Sequence, residues 1–358
     1  MRTFESKQDF CHWLGEFRGE NLKLGWSESP DVVSVSASGE FQIILPFANQ
    51  SLISELTTWI ETQQQSNQVA AFEFSVSSKV KALETTVASE IKGVKNVIAV
   101  TSAKGGVGKS TTAVNLALAI SKLGAKVGIL DADVYGPSIP MMFGQINAHP
   151  EVRDGKWMQP IAAHGIYTQS IGYLISSDDA AIWRGPMASK ALAQLLNETE
   201  WPELDYLVID MPPGTGDIQL TLSQQIPVTG ALIVTTPQDL ALTDAIKGAA
   251  MFEKVSVPVV GIVENMSYHI CSQCGSKEHI FGAGGAEWMA SKFGLNLLGQ
   301  VPLHIDIRES IDNGAPTVVS NPEGEHGQIY TQLAERVCAD LYWNGKAKPE
   351  SILFKMVE

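Results

Sequence analysis

Two kinds of apolar pattern alternate along most of this chain. Short, β-branched apolar runs predict buried strands at Asn96-Val-Ile-Ala-Val100, Lys126-Val-Gly-Ile-Leu130, Tyr206-Leu-Val-Ile-Asp210 and Val259-Val-Gly-Ile-Val263. Apolar residues at helical spacing predict helices from Thr112 onward and over Gly327–Leu341. This pattern predicts an α/β fold with a doubly wound, mostly parallel sheet over residues 96–345. The first 75 residues read differently. Val32–Ala37 and Phe41–Phe47 alternate as strands do, and Gln50–Ile60 follows as a helix, which predicts a small α+β domain over 1–75. A polar stretch rich in Ser, Lys, Glu and Thr over 76–95 reads as a linker, and 346–358 as a tail.

Between the strand ending at Val100 and the helix from Thr112 lies Thr101-Ser-Ala-Lys-Gly-Gly-Val-Gly-Lys-Ser-Thr-Thr112. Gly105, Gly106 and Gly108 let successive backbone N–H groups converge on phosphate oxygens, and the helix N-terminus adds its unpaired N–H groups and dipole. Lys109 is placed to neutralise β- and γ-phosphates, and the Ser110 hydroxyl to ligate magnesium. The candidate nucleotide loop is thus Ala103, Lys104, Gly105, Gly106, Val107, Gly108, Lys109, Ser110 and Thr111, with Ala103 where such loops usually begin with glycine. Lys104 is a second cation in the loop. It crowds Lys109 if it serves its own γ-phosphate, so the economical use is to reach the nucleotide of a second subunit; the plain alternative is a solvated lysine.

Three carboxylates sit at or beyond strand ends, where a doubly wound sheet binds ligands. Asp133 is the candidate for orienting an attacking water, Asp131 for supporting the magnesium shell or a switch, and Asp210 for holding magnesium through water. Met211-Pro-Pro-Gly-Thr-Gly-Asp217 reads as a switch turn. For Asp131 and Asp217 a helix cap is the competing reading.

Cys271-Ser-Gln-Cys274 supplies two thiolates at metal-ligand spacing, half of what a tetrahedral zinc or a four-iron cluster needs. Two such pairs face to face in a dimer complete a four-cysteine site. A zinc knuckle using His269 or His279, an iron–sulfur cluster and a redox pair all stay open on the residues alone. Cys11 and Cys338 stand apart and read as ordinary thiols.

Composition narrows the field. A net charge of −14 over 358 residues leaves no basic stripe for nucleic acid. No apolar run is long enough to cross a bilayer, the tail Ser351–Glu358 is too short and too poor in basic residues for a membrane anchor, and the expected compartment is the cytoplasm.

The double-lysine loop resembles the deviant Walker A group of P-loop ATPases, which includes the nitrogenase iron protein, MinD and ParA. Together with Leu130-Asp-Ala-Asp-Val-Tyr-Gly-Pro-Ser-Ile-Pro140, Trp183-Arg-Gly-Pro-Met-Ala-Ser189, Asp210–Asp217, Thr235-Thr-Pro-Gln-Asp239 and Val263-Glu-Asn-Met-Ser267 before the Cys pair, the chain resembles the Mrp/ApbC iron–sulfur cluster carriers over roughly residues 96 to 342. The resemblance implies a homodimer that binds and hydrolyses ATP with Mg2+. It further implies a labile [4Fe-4S] cluster bridged by Cys271 and Cys274 of both subunits, passed to apo iron–sulfur proteins and dealing with a cluster-assembly scaffold, with no nucleic acid or membrane partner. By the same resemblance Asn265 recognises adenine, which its amide can do; the residue-level alternative is a turn residue. Residues 1–75 resemble the small iron–sulfur-assembly-type domain that precedes many Mrp proteins, with a docking module as the alternative. Two other functions remain: a MinD/ParA-type positioning ATPase with a structural zinc, and a zinc-bridged scaffold.

Overall fold

The structure is a computed structural model, and it describes residues 1–175, 185–214, 217–271 and 273–349. The N-terminal unit contains α1 (Lys7–Leu14), β1 (Val33–Val35), β2 (Phe41–Leu45), α2 (Gln50–Gln65) and β3 (Phe74–Ser78). The strands form one sheet in the order β1-β2-β3, antiparallel then parallel, with α2 as the crossover. Asn49 starts α2 by accepting the Leu52 N–H at 2.9 Å, and its buried stripe of Leu52, Leu56 and Ile60 faces the sheet core. Aromatic stacking fills this core: Phe10 lies on Phe41 with centroids 3.9 Å apart, and Trp13 on Trp59 at 4.7 Å. The sequence pattern missed α1 and β3, both rich in polar residues.

The main unit runs through β4 (Val94–Thr101), α3 (Lys109–Lys122), β5 (Val127–Asp131), α4 (Ile139–Met142), β6 (Val152–Arg153), β7 (Trp157–Met158), β8 (Ile161–Ala163), β9 (Ile166–Ser170) and α5 (Gly185–Glu198). It continues with β10 (Leu204–Asp210), α6 (Asp217–Gln225), β11 (Gly230–Thr235), α7 (Asp239–Lys254), β12 (Val259–Ile270), β13 (Lys277–Glu278), α8 (Gly285–Phe293), β14 (Leu297–Leu303), α9 (Ile305–Asp312), α10 (Thr317–Ser320) and α11 (Glu325–Asn344). The nine-stranded sheet has the order β13-β12-β11-β4-β10-β5-β9-β8, with β14 also on β12; β8 and β13 are its antiparallel members. β5, β10 and β11 are buried almost without interruption, as strands covered on both faces must be. The chain leaves β4 for β5 on one side and later returns to β11 on the other, so the loops after β4, β5, β10, β11 and β12 gather at one edge, beside the switch point. The expected α/β architecture is therefore the observed one.

The stretch expected as a linker begins inside β3 and ends inside β4. Between them the chain is pinned rather than loose. Asn96 accepts the Leu83 N–H at 3.1 Å and donates to the Lys81 carbonyl at 2.9 Å, and Leu83 bridges to Ala347 in the tail. The N-terminal unit packs on α11. Phe47, fully buried, meets Tyr342 and Trp343 with centroids 5.9 and 5.8 Å away, Trp343 donates its indole N–H to the Asn21 carbonyl at 2.9 Å, and Arg336 pairs with Glu20 at 2.7 Å. Among the described residues no helix is long and apolar enough to cross a membrane.

Because one apolar cluster runs through both units, Phe47→Ala is expected to cost about 3–5 kcal/mol and to lower the urea midpoints of both together. Two separate transitions, with only the N-terminal unit affected, would show that the seam carries little of the stability.

Candidate functional site

The loop between β4 and α3 is shaped by backbone that few residues other than glycine adopt. Gly106 and Gly108 take φ of +80° and +79°, and Gly108 ends the loop as the N-cap of α3 with no side chain capping it. A Cβ on Gly105 or Gly106 would meet nothing within 4 Å, so the outer loop is open to a ligand. A Cβ on Gly108 would lie 2.0 Å from Asn265 Nδ2, so the inner loop is closed against β12. Val107 turns inward and its carbonyl accepts the Asn265 amide at 2.8 Å, while Ser110 and Thr111 begin α3. Ser102 donates its hydroxyl to the Lys104 carbonyl at 2.9 Å, which leaves Ala103 half-buried and the Lys104 side chain exposed.

Lys109 points into the protein. Its Nζ donates to Asp210 Oδ1 and lies 3.3 Å from Ser110 Oγ. The partners are 6 % and 0 % exposed, so this is a buried ion pair. The second Asp210 oxygen is buried with no hydrogen-bond partner in the chain. An orphaned carboxylate oxygen in the neighbourhood of a serine hydroxyl at a helix N-terminus is a donor set that fits a hydrated divalent cation.

Asp131, expected to support magnesium or the switch, is otherwise engaged. One oxygen accepts the N–H groups of Ser138 (2.9 Å) and Ile139 (3.1 Å) and the Ser170 hydroxyl (3.0 Å), and the other accepts the Asp133 N–H at 3.1 Å. It organises the loop leading into α4, close to the capping reading. Burial, reinforced by the Asp210 charge, pushes its carboxyl up to about 7, against the pull of the Ile139 N–H, Lys109 and Ser170. Asp133 is half-buried and also raised by burial, with Lys109 drawing it back. Lys109 and these three carboxylates thus form one electrostatic group.

The turn after β10 is tied to the loop. Met211 N–H donates to the Val100 carbonyl at 3.0 Å and Gly214 N–H to the Ser102 carbonyl at 2.9 Å. Gln219 of α6 donates to both Thr101 Oγ1 and the Pro212 carbonyl at 2.7 Å. Sequence reasoning missed Gln219; a lone Gln on an amphipathic helix gives no signal of this task. Trp183, Arg184, Thr215, Gly216 and the side chains of Asp217 and Asp239 lie outside the described residues.

The Cys pair sits on the turn joining β12 to β13. Cys271 N–H donates to the Ser276 carbonyl at 3.0 Å and Gly275 N–H to the Cys271 carbonyl at 2.8 Å, with Gly275 at φ +71°. Cys274 is exposed and Cys271 half-exposed. The N–H groups of Gln273 and Cys274, then the Cys274 thiol, pull the Cys271 thiol below its ordinary range. His269 and His279 are turned elsewhere, pairing through Nδ1 with the carbonyls of Leu303 and Ser267, each at 3.1 Å. Among the described residues no three His, Cys, Asp or Glu side chains converge as metal ligands, so the zinc knuckle within one chain is not assembled. Asn265 and Cys271 belong to one continuous strand and its end, because β12 runs on past the predicted Val263 by pairing with β14 and β13.

The chain is similar to several known proteins. A family model described as ParA: NUBPL iron-transfer P-loop NTPase matches residues 93–338. The iron–sulfur cluster carrier protein of Escherichia coli K12 is 66% identical over 263 residues, covering 74% of this chain and 71% of that protein. The iron–sulfur cluster transfer protein NUBPL of Mus musculus is 51% identical over 258 residues, covering 72% and 79%. Among solved structures, a nucleotide-binding protein from Archaeoglobus fulgidus in complex with ADP aligns with a TM-score of 0.59 and 38% identity over 67% of this chain and 93% of that one. The Pyrococcus furiosus cell division ATPase MinD shares the fold, with a TM-score of 0.50 and 23% identity over 68% of this chain and 98% of that one. The chain belongs to the ParA/NUBPL iron-transfer family of P-loop NTPases.

Proposed function

We propose that this protein works in the cytoplasm as an ATP-hydrolysing homodimer that binds a labile [4Fe-4S] cluster as cargo and passes it to apo-proteins. The observation that carries this reading is the paired-thiol turn at the end of the strand whose Asn265 closes the phosphate loop. One turn offers two thiolates, so a four-thiolate cluster calls for Cys271 and Cys274 of two chains. The similarity to the Escherichia coli carrier supports the cargo.

The chain's own groups have separable tasks. The glycine loop and the uncapped α3 N-terminus cradle phosphates. Lys109 would leave Asp210 for the β- and γ-phosphates, and Ser110 with Asp210 would hold Mg2+, which would supply charge neutralisation at the phosphates. Asp133, half-buried near Lys109, orients the attacking water, and exposed Lys104 serves the nucleotide of the second subunit. Asn265 keeps its amide carbonyl for the adenine edge while its NH2 holds Val107.

Anaerobic reconstitution with iron and sulfide tests the cargo. Wild type is expected to give a [4Fe-4S] spectrum at one cluster per dimer, and Cys271→Ala/Cys274→Ala none; bound zinc, or a cluster in the double variant, would sink the reading. Lys109→Met is expected to abolish ATP turnover and, by stranding the buried Asp210 carboxylate, to destabilise the protein by about 3–5 kcal/mol. Adding Asp210→Asn should recover part of that stability but no turnover, and equal stability of the single variant and wild type would contradict the pairing. Finally, iodoacetamide should alkylate Cys271 along a pH profile displaced below that of an ordinary thiol, because the thiolate is the nucleophile. Buried Cys338, pushed up to about 12 by burial, should stay unreactive until the protein unfolds, as should buried Cys11. Peptide mapping by mass spectrometry reads both outcomes.

A further inference from the structure

Met266 stands in the left-handed region, φ +55°, inside β12. Long side chains adopt this conformation rarely, and it persists where the surroundings over-determine it. The register of β12 against β14 shifts between Asn265 and His269, so Met266 lies in a bulge where the strand bends.

The strand is anchored on one side of this bulge and carries the thiols on the other. Before it, the fully buried carboxylate of Glu264 accepts the Ala286 N–H at the start of α8 (3.1 Å) and the Gln300 amide of β14 (3.0 Å); it also accepts the hydroxyl of Ser267 just beyond the bulge (2.6 Å), which spans the bend. At the bulge the strand touches the phosphate loop. Asn265 holds the Val107 carbonyl, and the Met266 terminal methyl lies 3.9 Å from the point where a Cβ on Gly108 would stand. Beyond it the strand pairs with β14 through His269 and Leu303 and with the short strand β13, and continues to Ile270 and the Cys271–Cys274 turn.

We propose that Met266 is a positioning residue, the hinge through which phosphate binding at the loop re-aims the thiol turn, with Glu264 fixing the root of the strand. The inference rests on the carrier reading above and assigns it a route of regulation. A shift of Gly108 meets the Asn265 amide and Met266 at once; Glu264 is held to α8 and β14 by the Ala286 N–H and the Gln300 amide, so the strand gives at the bulge, where the register slips, and the segment after it re-aims together with the short strand β13. The distance is short: Cys271 follows Met266 by five residues in the same element and its end.

The test is the iodoacetamide rate of Cys271 in the full-length, cluster-free protein, with and without saturating MgATP, binding being measured for each variant. In wild type the nucleotide is expected to change that rate about fivefold or more. Met266→Gly, which removes both the contact and the conformational constraint, is expected to bring the ratio close to one, and Met266→Leu, which keeps a long apolar side chain against Gly108, to retain it. A merely structural Met266 would lower the melting temperature of the Gly variant and leave its ratio untouched, and that result overturns the proposal. Should Met266→Gly fail to fold, Glu264→Gln carries the same test: a ratio well below that of wild type supports the hinge, and an unchanged ratio overturns it. A wild type that binds MgATP yet shows no change in rate also overturns the hinge, while the carrier reading stands or falls separately on the cysteine-dependent cluster.

Discussion

Two carboxylates in an apolar sheet need one cation, and the phosphate edge of this molecule is organised around that requirement. Asp131 and Asp210 are register partners on neighbouring strands, both without solvent exposure. Side by side they repel, and neither is solvated. Lys109 answers for Asp210 by direct pairing, and the N–H groups of the loop before α4 answer for Asp131. A lysine that leaves Asp210 for phosphate makes a second cation necessary at the same place, because a buried carboxylate left alone is costly. In the proposed mechanism charge balance would therefore tie nucleotide phosphates and a divalent ion to one event. It also explains why the raised Asp131 carboxyl belongs to a supporting group: its oxygens are already committed to fixing the loop that carries Asp133.

β12 is the second organising element. Most strands of the parallel core end where the ligand edge begins, but β12 runs on, gaining its further pairing from β14 and from the short return strand β13. One element thereby serves the loop that cradles phosphate and the turn that presents thiols. α11, which packs on β14 and α3, is in turn packed by the N-terminal unit, whose Glu20 and Asn21 grip Arg336 and Trp343. The N-terminal unit thus braces a helix that covers the sheet and contributes none of the phosphate-site contacts described here.

Much of this was legible in the sequence because both-face burial writes itself as uninterrupted apolar runs. The strands at Val97–Val100, Val127–Leu130 and Leu207–Ile209 were visible for that reason, as was the glycine loop. The extension of β12 was hidden: Glu264-Asn-Met-Ser-Tyr-His-Ile270 has no strand-like alternation, and tertiary pairing decides its conformation. A Glu directly after an apolar run was the available signal for a buried, fully bonded carboxylate, yet its three partners come from α8, β14 and Ser267 and cannot be read from spacing. The partner of Lys109 was invisible for a similar reason, since it lies 101 positions away and only the strand order brings it near. The N-terminal seam was likewise hidden, because Phe47 and Trp343 each look like ordinary apolar residues of separate elements.

The same chemistry that makes the thiol turn attractive as a ligand set makes it insufficient alone. The turn closes through the Cys271–Ser276 and Gly275–Cys271 hydrogen bonds, which hold two sulfurs near each other and leave the neighbouring histidines facing backbone carbonyls. The [4Fe-4S] cluster proposed as cargo wants four thiolates, so two more would come from outside the chain. Lys104 poses the same problem in another form: its side chain is exposed and, among the described residues, aimed at no group of its own chain that the loop needs, while Lys109 is buried against Asp210. In the proposed carrier each feature is half of a site, and a single two-fold pairing of identical chains would complete both, which is the economical solution for a symmetric oligomer. A cluster held across such an interface would have its ligands on two bodies, so a rotation that separates the turns would release it, and under the proposed hinge a strand that bends at Met266 would need to move the sulfurs only slightly to do so.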